Sequence, residues 1–427
     1  RARREGHVPS RRSVLAGLAV GAAVVQNGRA AAQTTGRVVV VGGGFGGATC
    51  ARALKAEAPR LTVTLVEPET RYLACPLSNG VVASLRPLEA QAFTYDGLAR
   101  AGVQVAHQAA AGVDVVRRRV RLADESDLAY DRLVIAPGVD LDFTALPGYD
   151  AAAAEVMPHA WKAGAQTILL RRQLQAMDDG GLVVMAIPAN PYRCPPGPYE
   201  RASLVAHYLK THKPRSKLLL LDAKDSFSKQ RLFEAAWREL YPGMIEWVSL
   251  SFGGRVTSVD VENRTLRTDF GEHRAAVANV IPPQLAGAIA RSAGVADTTG
   301  WCPVDPVTFE SVRQPGVHVI GDAAIGGAMP KSAFTANAQA KVCASAIVAL
   351  MSGAEPSSPK LINTCYSLVA PDYGISIAGV YEPRNGLLDE VPGSGGVSPV
   401  DAPREVRALE ATYAERWFQT TTAEVFG

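Results

Sequence analysis

The stretch 192–203, YRCPPGPYERAS, sets Cys194 directly before Pro195 and Pro196 and follows it six positions later with Glu200. A cysteine does redox or nucleophilic chemistry through its thiolate, and a carboxylate within reach can take or return the proton. The two prolines restrict their own backbone and bias the cysteine before them toward extended conformations, so a rigidly held sulfur is expected. Glu200 falls on the first turn of a helix predicted to begin near Pro198. There a carboxylate either handles protons or is simply favoured by the helix dipole. Five further cysteines occur, at 50, 75, 302, 343 and 365, and sequence alone does not choose among their possible pairings. Cys50 and Cys343 sit among small apolar residues of predicted helices and read as packed core thiols. Cys302, after Trp301, carries no assignment.

The second chemical signal is Gly42-Gly43-Gly44-Phe45-Gly46-Gly47. It follows the β-branched run 37–41, which reads as a parallel strand buried on both faces, and precedes a predicted helix, 48–56. A second strand, 61–66, ends at Glu67, about twenty residues beyond the last glycine, as a dinucleotide-binding βαβ unit requires. Gly42 serves the tight turn, Gly44 the approach of a pyrophosphate to the backbone and Gly47 the close packing of helix on strand. The helix N-terminus offers N–H groups and partial positive charge to the phosphates, and Glu67 accepts from a ribose.

A second α/β stretch begins near Gly181 with the strand 182–187, but the turn after it, PANPYRCPP, has no glycine and several prolines. Prolines supply no N–H donors and obstruct a phosphate. This unit has the outline of a nicotinamide domain without its binding loop, and no NAD(P)H site is expected. A strand at 317–320 leads to Gly321-Asp322-Ala323 and a helix at about 332–351. The remainder reads as turn-rich pieces near 392–399 and one amphipathic helix near 404–418. On that helix Leu409, Tyr413 and Trp417 recur every four residues and are expected to cover the core or a partner interface.

With Lys+Arg 44 against Asp+Glu 41 and 47% hydrophobic residues, the chain is an ordinary globular protein with no charge excess that points to nucleic acid. At the N-terminus, SRRSVL precedes the apolar run 14–25, too short to span a bilayer as a mature helix, and Ala30-Ala31-Ala32 offers a cleavage site. The pattern predicts a twin-arginine signal, removed near Gln33, and a periplasmic bacterial protein with no stable membrane insertion. In an exported protein disulfides persist, and the residue types by themselves favour a structural bridge over a catalytic one.

Two dinucleotide-fold units, an early GxGxxG and a late Gly-Asp before a helix resemble the flavoprotein disulfide reductase superfamily. More narrowly, YLACPLSNGV, PHAWKAG, RCPPGPYERAS, GWCPVD, VIGDA and NTCYS resemble the flavoprotein subunit of flavocytochrome c sulfide dehydrogenase, and its relatives in thiosulfate-oxidising operons, over nearly the whole mature chain. The resemblance implies two Rossmann-like domains, an FAD domain (37–146 and 284–355) and an NAD-like domain (147–283). A C-terminal interface domain (356–427) follows, and residues 1–36 form the signal and lead-in. It also implies FAD attached by a thioether to Cys75, and an Ala136-Pro137-Gly138 loop touching the cofactor. Asp322, after Gly321, binds the ribityl chain, and Cys194 and Cys365 form a redox disulfide. No metal site is expected.

Hydrosulfide attack on such a disulfide leaves a persulfide and a thiolate, and the electron pair passes to the flavin. The chain has no C-x-x-C-H haem motif, so the resemblance implies a separate c-type cytochrome that takes the electrons one at a time. Glu200 would handle the sulfide proton. Competing readings are an accessory flavoprotein of a sulfur-oxidising system and a sulfide:quinone oxidoreductase; the mixed charge of the last helix argues against the cationic anchor a membrane enzyme needs.

Overall fold

The computed structural model describes residues 33–427; the twin-arginine motif, the apolar run and the alanine cleavage site lie outside the described residues. The first strand, β1 (Arg37–Val41), enters α1 (Phe45–Glu57), and β2 (Thr62–Val66) follows. A short helix, α2 (Ser78–Val82), β3 (Gln104–Ala106) and β4 (Arg132–Ile135) complete the first passage through this layer. The chain then builds β5 (Leu182–Ile187), α3 (Gly197–His212), β6 (Lys217–Asp222), α4 (Gln230–Leu240), β7 (Ile245–Val248) and β8 (Val277–Val280). It returns with β9 (Val317–Val319) and α5 (Ala333–Met351), and ends in β10 (Leu361–Ala370), β11 (Tyr373–Arg384), β12 (Leu387–Glu390) and α6 (Arg404–Phe426).

Two parallel sheets result. The first runs in the order β9-β4-β1-β2-β3 and the second in the order β7-β6-β5-β8. Helices cover only part of each sheet: the antiparallel strands 110–129 also pack in the first core, and Leu146, Tyr149, Met157, Val259 and Leu266 cover one face of the second, so the strands are apolar on both faces, with Val38 to Val41 at most 6% exposed. α5 packs on α1 and β10 and keeps Lys341 and Ser345 toward solvent; Cys343 on α5 and Cys50 on α1 are fully buried in that core, their thiols in hydrogen-bonding contact.

The C-terminal region departs from its sequence reading. Residues 361–390, to which the sequence reading assigned no element, form an antiparallel sheet in which β10 and β11 pair along most of their length, Cys365 opposite Ile377, while the stretch 392–399 is turn-rich as expected. Alternation is legible in β10 once the pairing is known, since its side chains are alternately buried and exposed from Leu361 to Ser367. α6 runs eight residues past Phe418, to Phe426, because its last turns have a buried face: Phe418, Val425 and Phe426 pack in the first core, and the Phe426 ring stacks on Tyr72 and Phe93. Arg407 is not on an outward polar face. It is buried, paired with Glu410 at 3.3 Å and bonded to the carbonyls of Pro399 and Val400. Leu409 and Tyr413 are exposed and cover no core, whereas the Trp417 ring stacks on Phe334.

Candidate active site

One cavity, with about 1520 Å³ of empty space including its mouth, opens where the first sheet, α5 and β10 meet. Its walls bring together Gly42, Gly44, Glu67, Cys75, Ala136, Gly138, Cys194, Glu200, Gly321, Asp322 and Cys365. Of the residues assigned from the sequence to the catalytic and cofactor site, Gly47 alone lies behind the wall, under the loop. Its position explains its identity, because a Cβ there would stand 1.8 Å from the Gly42 carbonyl oxygen. Gly42 has φ +103°, and a Cβ on it would strike the Ala136 carbonyl. At Gly44 the surface stays open toward the cavity, where an added Cβ would meet only the Tyr72 ring, at 3.5 Å.

The residues fit a flavin dinucleotide. Glu67, at the end of β2, lies across the glycine loop and accepts from the Gly43 N–H at 2.7 Å. Asp322 Oδ1 is buried in the cavity wall and has no hydrogen-bond partner, a position that a ribityl hydroxyl would satisfy. Burial pushes the Asp322 carboxyl up, against the pull of Arg193 and Lys331. Ser332 caps α5 by accepting from the Thr335 N–H, which turns the positive end of that helix on the cavity. Cys75 stands in the same wall, its Sγ 4.0 Å from the Trp161 carbonyl.

The sulfur pair is brought together from distant segments. Cys194 precedes α3, Cys365 lies on β10, and their thiols, both free, make a hydrogen-bonding contact. The backbone of Cys194 is not extended as the following prolines predicted. It is left-handed, with φ +58°, a conformation that costs a non-glycine residue roughly 1–2 kcal/mol. Two hydrogen bonds hold it: Cys194 N–H donates to the Lys331 carbonyl and the Cys194 carbonyl accepts from Gly197 N–H, both at 2.8 Å. The tertiary contact to Lys331 overrides the local preference.

Glu200 occupies the first turn of α3 but is buried, unlike an ordinary helix-start carboxylate. Its Oε1 accepts from Leu368 N–H at 2.8 Å, and its Oε2 from Asn79 Nδ2 at 2.7 Å. Burial raises its carboxyl above the usual range, while those two hydrogen bonds and the charges of Lys229 and Arg201 oppose the rise. Arg201, buried beside it, donates to Asn79 Oδ1, Asn279 Oδ1 and the carbonyls of His159 and Ala160, and its guanidinium lies over the Trp161 ring at 5.0 Å. This network ties α2, the 159–161 loop and α3 into one wall.

Sequence reasoning missed Lys229. It precedes α4 with φ +62°, is 7% exposed, and its Nζ donates to the Cys365 carbonyl at 2.9 Å and to Ser367 Oγ at 2.7 Å. No motif marks it; its signal exists only in space. The hydrogen bond from Cys194, and then the Lys229 charge, bring the Cys365 thiol down to about 7 despite burial, and the same contact and burial raise Cys194 well above the usual thiol value.

At the end of β6, where a nicotinamide domain would present an acid to ribose, Asp222 is fully buried. It is already engaged by Tyr199 Oη at 2.5 Å, Trp247 Nε1 at 2.9 Å and Lys224 Nζ at 2.6 Å. Tyr199 stacks on Phe227 at 3.7 Å in front of it.

The family model for the central region of the sulfide dehydrogenase [flavocytochrome c] flavoprotein chain matches residues 167–282, and that for the flavocytochrome c sulphide dehydrogenase flavin-binding region matches 357–426. A pyridine nucleotide-disulphide oxidoreductase model matches 36–169. The mouse mitochondrial sulfide:quinone oxidoreductase is 24% identical over 304 residues, 67% of this chain; the match spans 65% of the mouse protein's length. Among solved structures, the sulfide:quinone oxidoreductase of Aquifex aeolicus superposes with a TM-score of 0.72 at 17% identity, covering 91% of this chain and 92% of that one. Putidaredoxin reductase, in its covalent complex with putidaredoxin, gives 0.64 at 18%, covering 88% and 93%; these two likenesses speak for the fold. A sulfide dehydrogenase [flavocytochrome c] flavoprotein chain of Chlorobaculum thiosulfatiphilum is 60% identical over 47 residues, 11% of this chain and 98% of that sequence. Glycine loop, sulfur pair and sequence likeness therefore agree: this chain belongs to the family of flavocytochrome c sulfide dehydrogenase flavoprotein chains.

Proposed function

We propose that the protein is an FAD-dependent sulfide dehydrogenase that oxidises sulfide at a Cys194–Cys365 disulfide and works in the bacterial periplasm after twin-arginine export. The observation that carries the reading is the contact of those two sulfurs, 171 positions apart in the chain, on the wall of the cavity that also holds the glycine loop and Cys75. FAD, tethered at Cys75, would supply a two-electron store that releases electrons singly to a c-type cytochrome.

The chain's own residues do the rest. In the oxidised form the bridge is the electrophile, and hydrosulfide breaks it to give one persulfide and one thiolate. The left-handed turn at Cys194 and the Lys229 contact to β10 hold the two sulfurs in register, so little conformational freedom is lost on reaction. Glu200, buried with both oxygens accepting hydrogen bonds, takes the proton that hydrogen sulfide gives up in becoming hydrosulfide. Asp322 and Glu67 accept from cofactor hydroxyls, Gly42 makes the tight turn, and Gly44, uncrowded on its cavity side, lets a phosphate approach the loop. The buried, fully engaged Asp222 and the glycine-free turn after β5 support the absence of NAD(P)H binding.

Acid-denatured protein should stay yellow and carry the mass of FAD on the Cys75 peptide; a colourless pellet would refute the tether. Cys194→Ser should bind FAD but lose sulfide-driven reduction of cytochrome c, and retained turnover would refute the redox bridge. The likeness to sulfide:quinone oxidoreductases makes a quinone the second acceptor to try: faster oxidation by a short-chain quinone than by cytochrome c would favour that reading.

A further inference from the structure

The two sulfurs of the pair stand in unlike surroundings. Cys365 is buried on β10, with the Lys229 ammonium gripping its own carbonyl at 2.9 Å and Ser367 Oγ at 2.7 Å. Cys194 is the more exposed of the two, and it begins the segment that carries Glu200. The chain thus places a buried cation against one sulfur's strand and a buried carboxylate on the other's helix. Glu200 also accepts from Leu368 N–H at 2.8 Å, so the strand segment 365–368 is fixed at both ends by opposite charges. Lys229 has no carboxylate partner within ion-pair distance among the described residues; the charged and titratable groups that face it are Cys365 on β10, Cys194 and Glu200 beside and on α3, and Glu410 on α6. Burial of a lysine without a paired carboxylate is costly, and its hydrogen bonds here are directed at the Cys365 strand.

In thiol–disulfide exchange the sulfur whose thiolate is better stabilised is the better leaving group, and access decides which sulfur is attacked. Both considerations point the same way here. We propose that Lys229 is a positioning residue that polarises the Cys194–Cys365 bridge, so that hydrosulfide attacks Cys194 and Cys365 departs as the thiolate. This rests on the redox-bridge reading given above. In the step the bond between Cys194 Sγ and Cys365 Sγ breaks and a bond between Cys194 Sγ and the sulfide sulfur forms. The electron pair of the old bond leaves on Cys365 Sγ, and the hydrosulfide proton stays on the terminal persulfide sulfur. The sulfide sulfur is oxidised by two electrons and the bridge is reduced by two, with no further reactant.

The test uses the oxidised holoprotein, mixed anaerobically with one equivalent of sulfide, quenched within milliseconds with iodoacetamide and mapped by peptide mass. The extra sulfur should appear on the Cys194 peptide, with Cys365 alkylated as a simple thiol. In Lys229→Met the extra sulfur should divide between the two peptides, and the pH of half-maximal Cys365 alkylation should rise from about 7 toward that of an ordinary thiol; Lys229→Arg should restore both. A lysine that merely braced the fold would move neither readout. Extra sulfur on the Cys365 peptide of the unsubstituted protein, or an unchanged pattern and pH profile in Lys229→Met, overturns the proposal while leaving the redox bridge standing. Extra sulfur on neither peptide, with the flavin still bleached by sulfide, overturns the redox bridge and this inference with it.

Discussion

In the reduced protein the alkylation of Cys365 should follow a pH profile unlike that of an ordinary cysteine. The hydrogen bond from Cys194, followed by the charge of Lys229, brings the Cys365 thiol to about 7 against the opposing effects of burial and of Glu200. A free thiol ionising near 8.5 is roughly 3% thiolate at pH 7, whereas one ionising near 7 is about half thiolate, a gain of about 15-fold in the reactive form. Nucleophilicity falls with thiol acidity at a Brønsted slope of about 0.4–0.5, which takes back about fivefold. The net expectation is a rate about threefold above an ordinary thiol at pH 7 and about fourfold below it at pH 9, where both are mostly ionised. Burial of Cys365 slows all rates but leaves the shape alone, so the shape is the measurement. The apparent value belongs to the coupled pair, with the first proton leaving from Cys365 and the second, at much higher pH, from Cys194. The assay is iodoacetamide alkylation of the fully reduced protein from pH 5.5 to 10, read on the Cys365 peptide by mass. The rate should reach its plateau by about pH 8. A rate that still climbs between pH 8 and 9.5 would refute the electrostatic account of the pair, and a Cys194 peptide that reacts first would reverse it.

Other perturbations test the wall around the pair. Glu200→Gln presents an amide where both oxygens now accept, from Leu368 N–H and Asn79 Nδ2; one buried hydrogen bond becomes a donor–donor clash, at a cost of about 1–3 kcal/mol, seen as a lower urea midpoint. Because Glu200 raises the Cys365 thiol, the same variant should move the Cys365 alkylation profile to lower pH, and a move to higher pH would contradict the assigned sign. Arg201→Met leaves two asparagine oxygens and the Ala160 carbonyl of a buried network without this donor, while the His159 carbonyl keeps Asn279 Nδ2, and should lose about 3–5 kcal/mol of stability by denaturant unfolding, roughly 1–3 kcal/mol for each buried acceptor left unpaired; a loss under about 1 kcal/mol would show the wall is held elsewhere. Gly47→Ala would press a methyl to 1.8 Å from the Gly42 carbonyl, so the purified variant should lose its flavin absorbance; normal flavin content would show that helix and strand can separate.

How much of this was legible beforehand differs by element. The glycine loop was readable because its residues are neighbours: strand, turn, helix and Glu67 lie in one βαβ unit, and the steric demand at Gly42 and Gly47 is local. The strand Leu182–Ile187 was readable from a continuous apolar run and the helix Ala333–Met351 from an alanine-rich, proline-free and glycine-free stretch. The hairpin of β10 and β11 was not read from sequence, since alternation in β10 becomes meaningful only against its partner strand, and the extra turns of α6 depend on the Phe426 ring finding Tyr72 and Phe93. The conformation of Cys194 ran against its local bias, because a contact to Lys331, far along the chain, outweighs the preference imposed by Pro195.

By itself the sequence determined the dinucleotide unit, the rigid turn after Cys194 and the position of Glu200 on the first turn of a helix, because each follows from sterics among residues close along the chain. The pairing of Cys194 with Cys365 came from the family resemblance and not from local spacing, and only the tertiary structure decided that Glu200 is buried between Leu368 and Asn79 and that Lys229 stands behind Cys365. The physical reason is that burial and charge proximity, which set the reactivity of a thiol or a carboxylate, arise from packing between distant segments and leave no trace in local spacing.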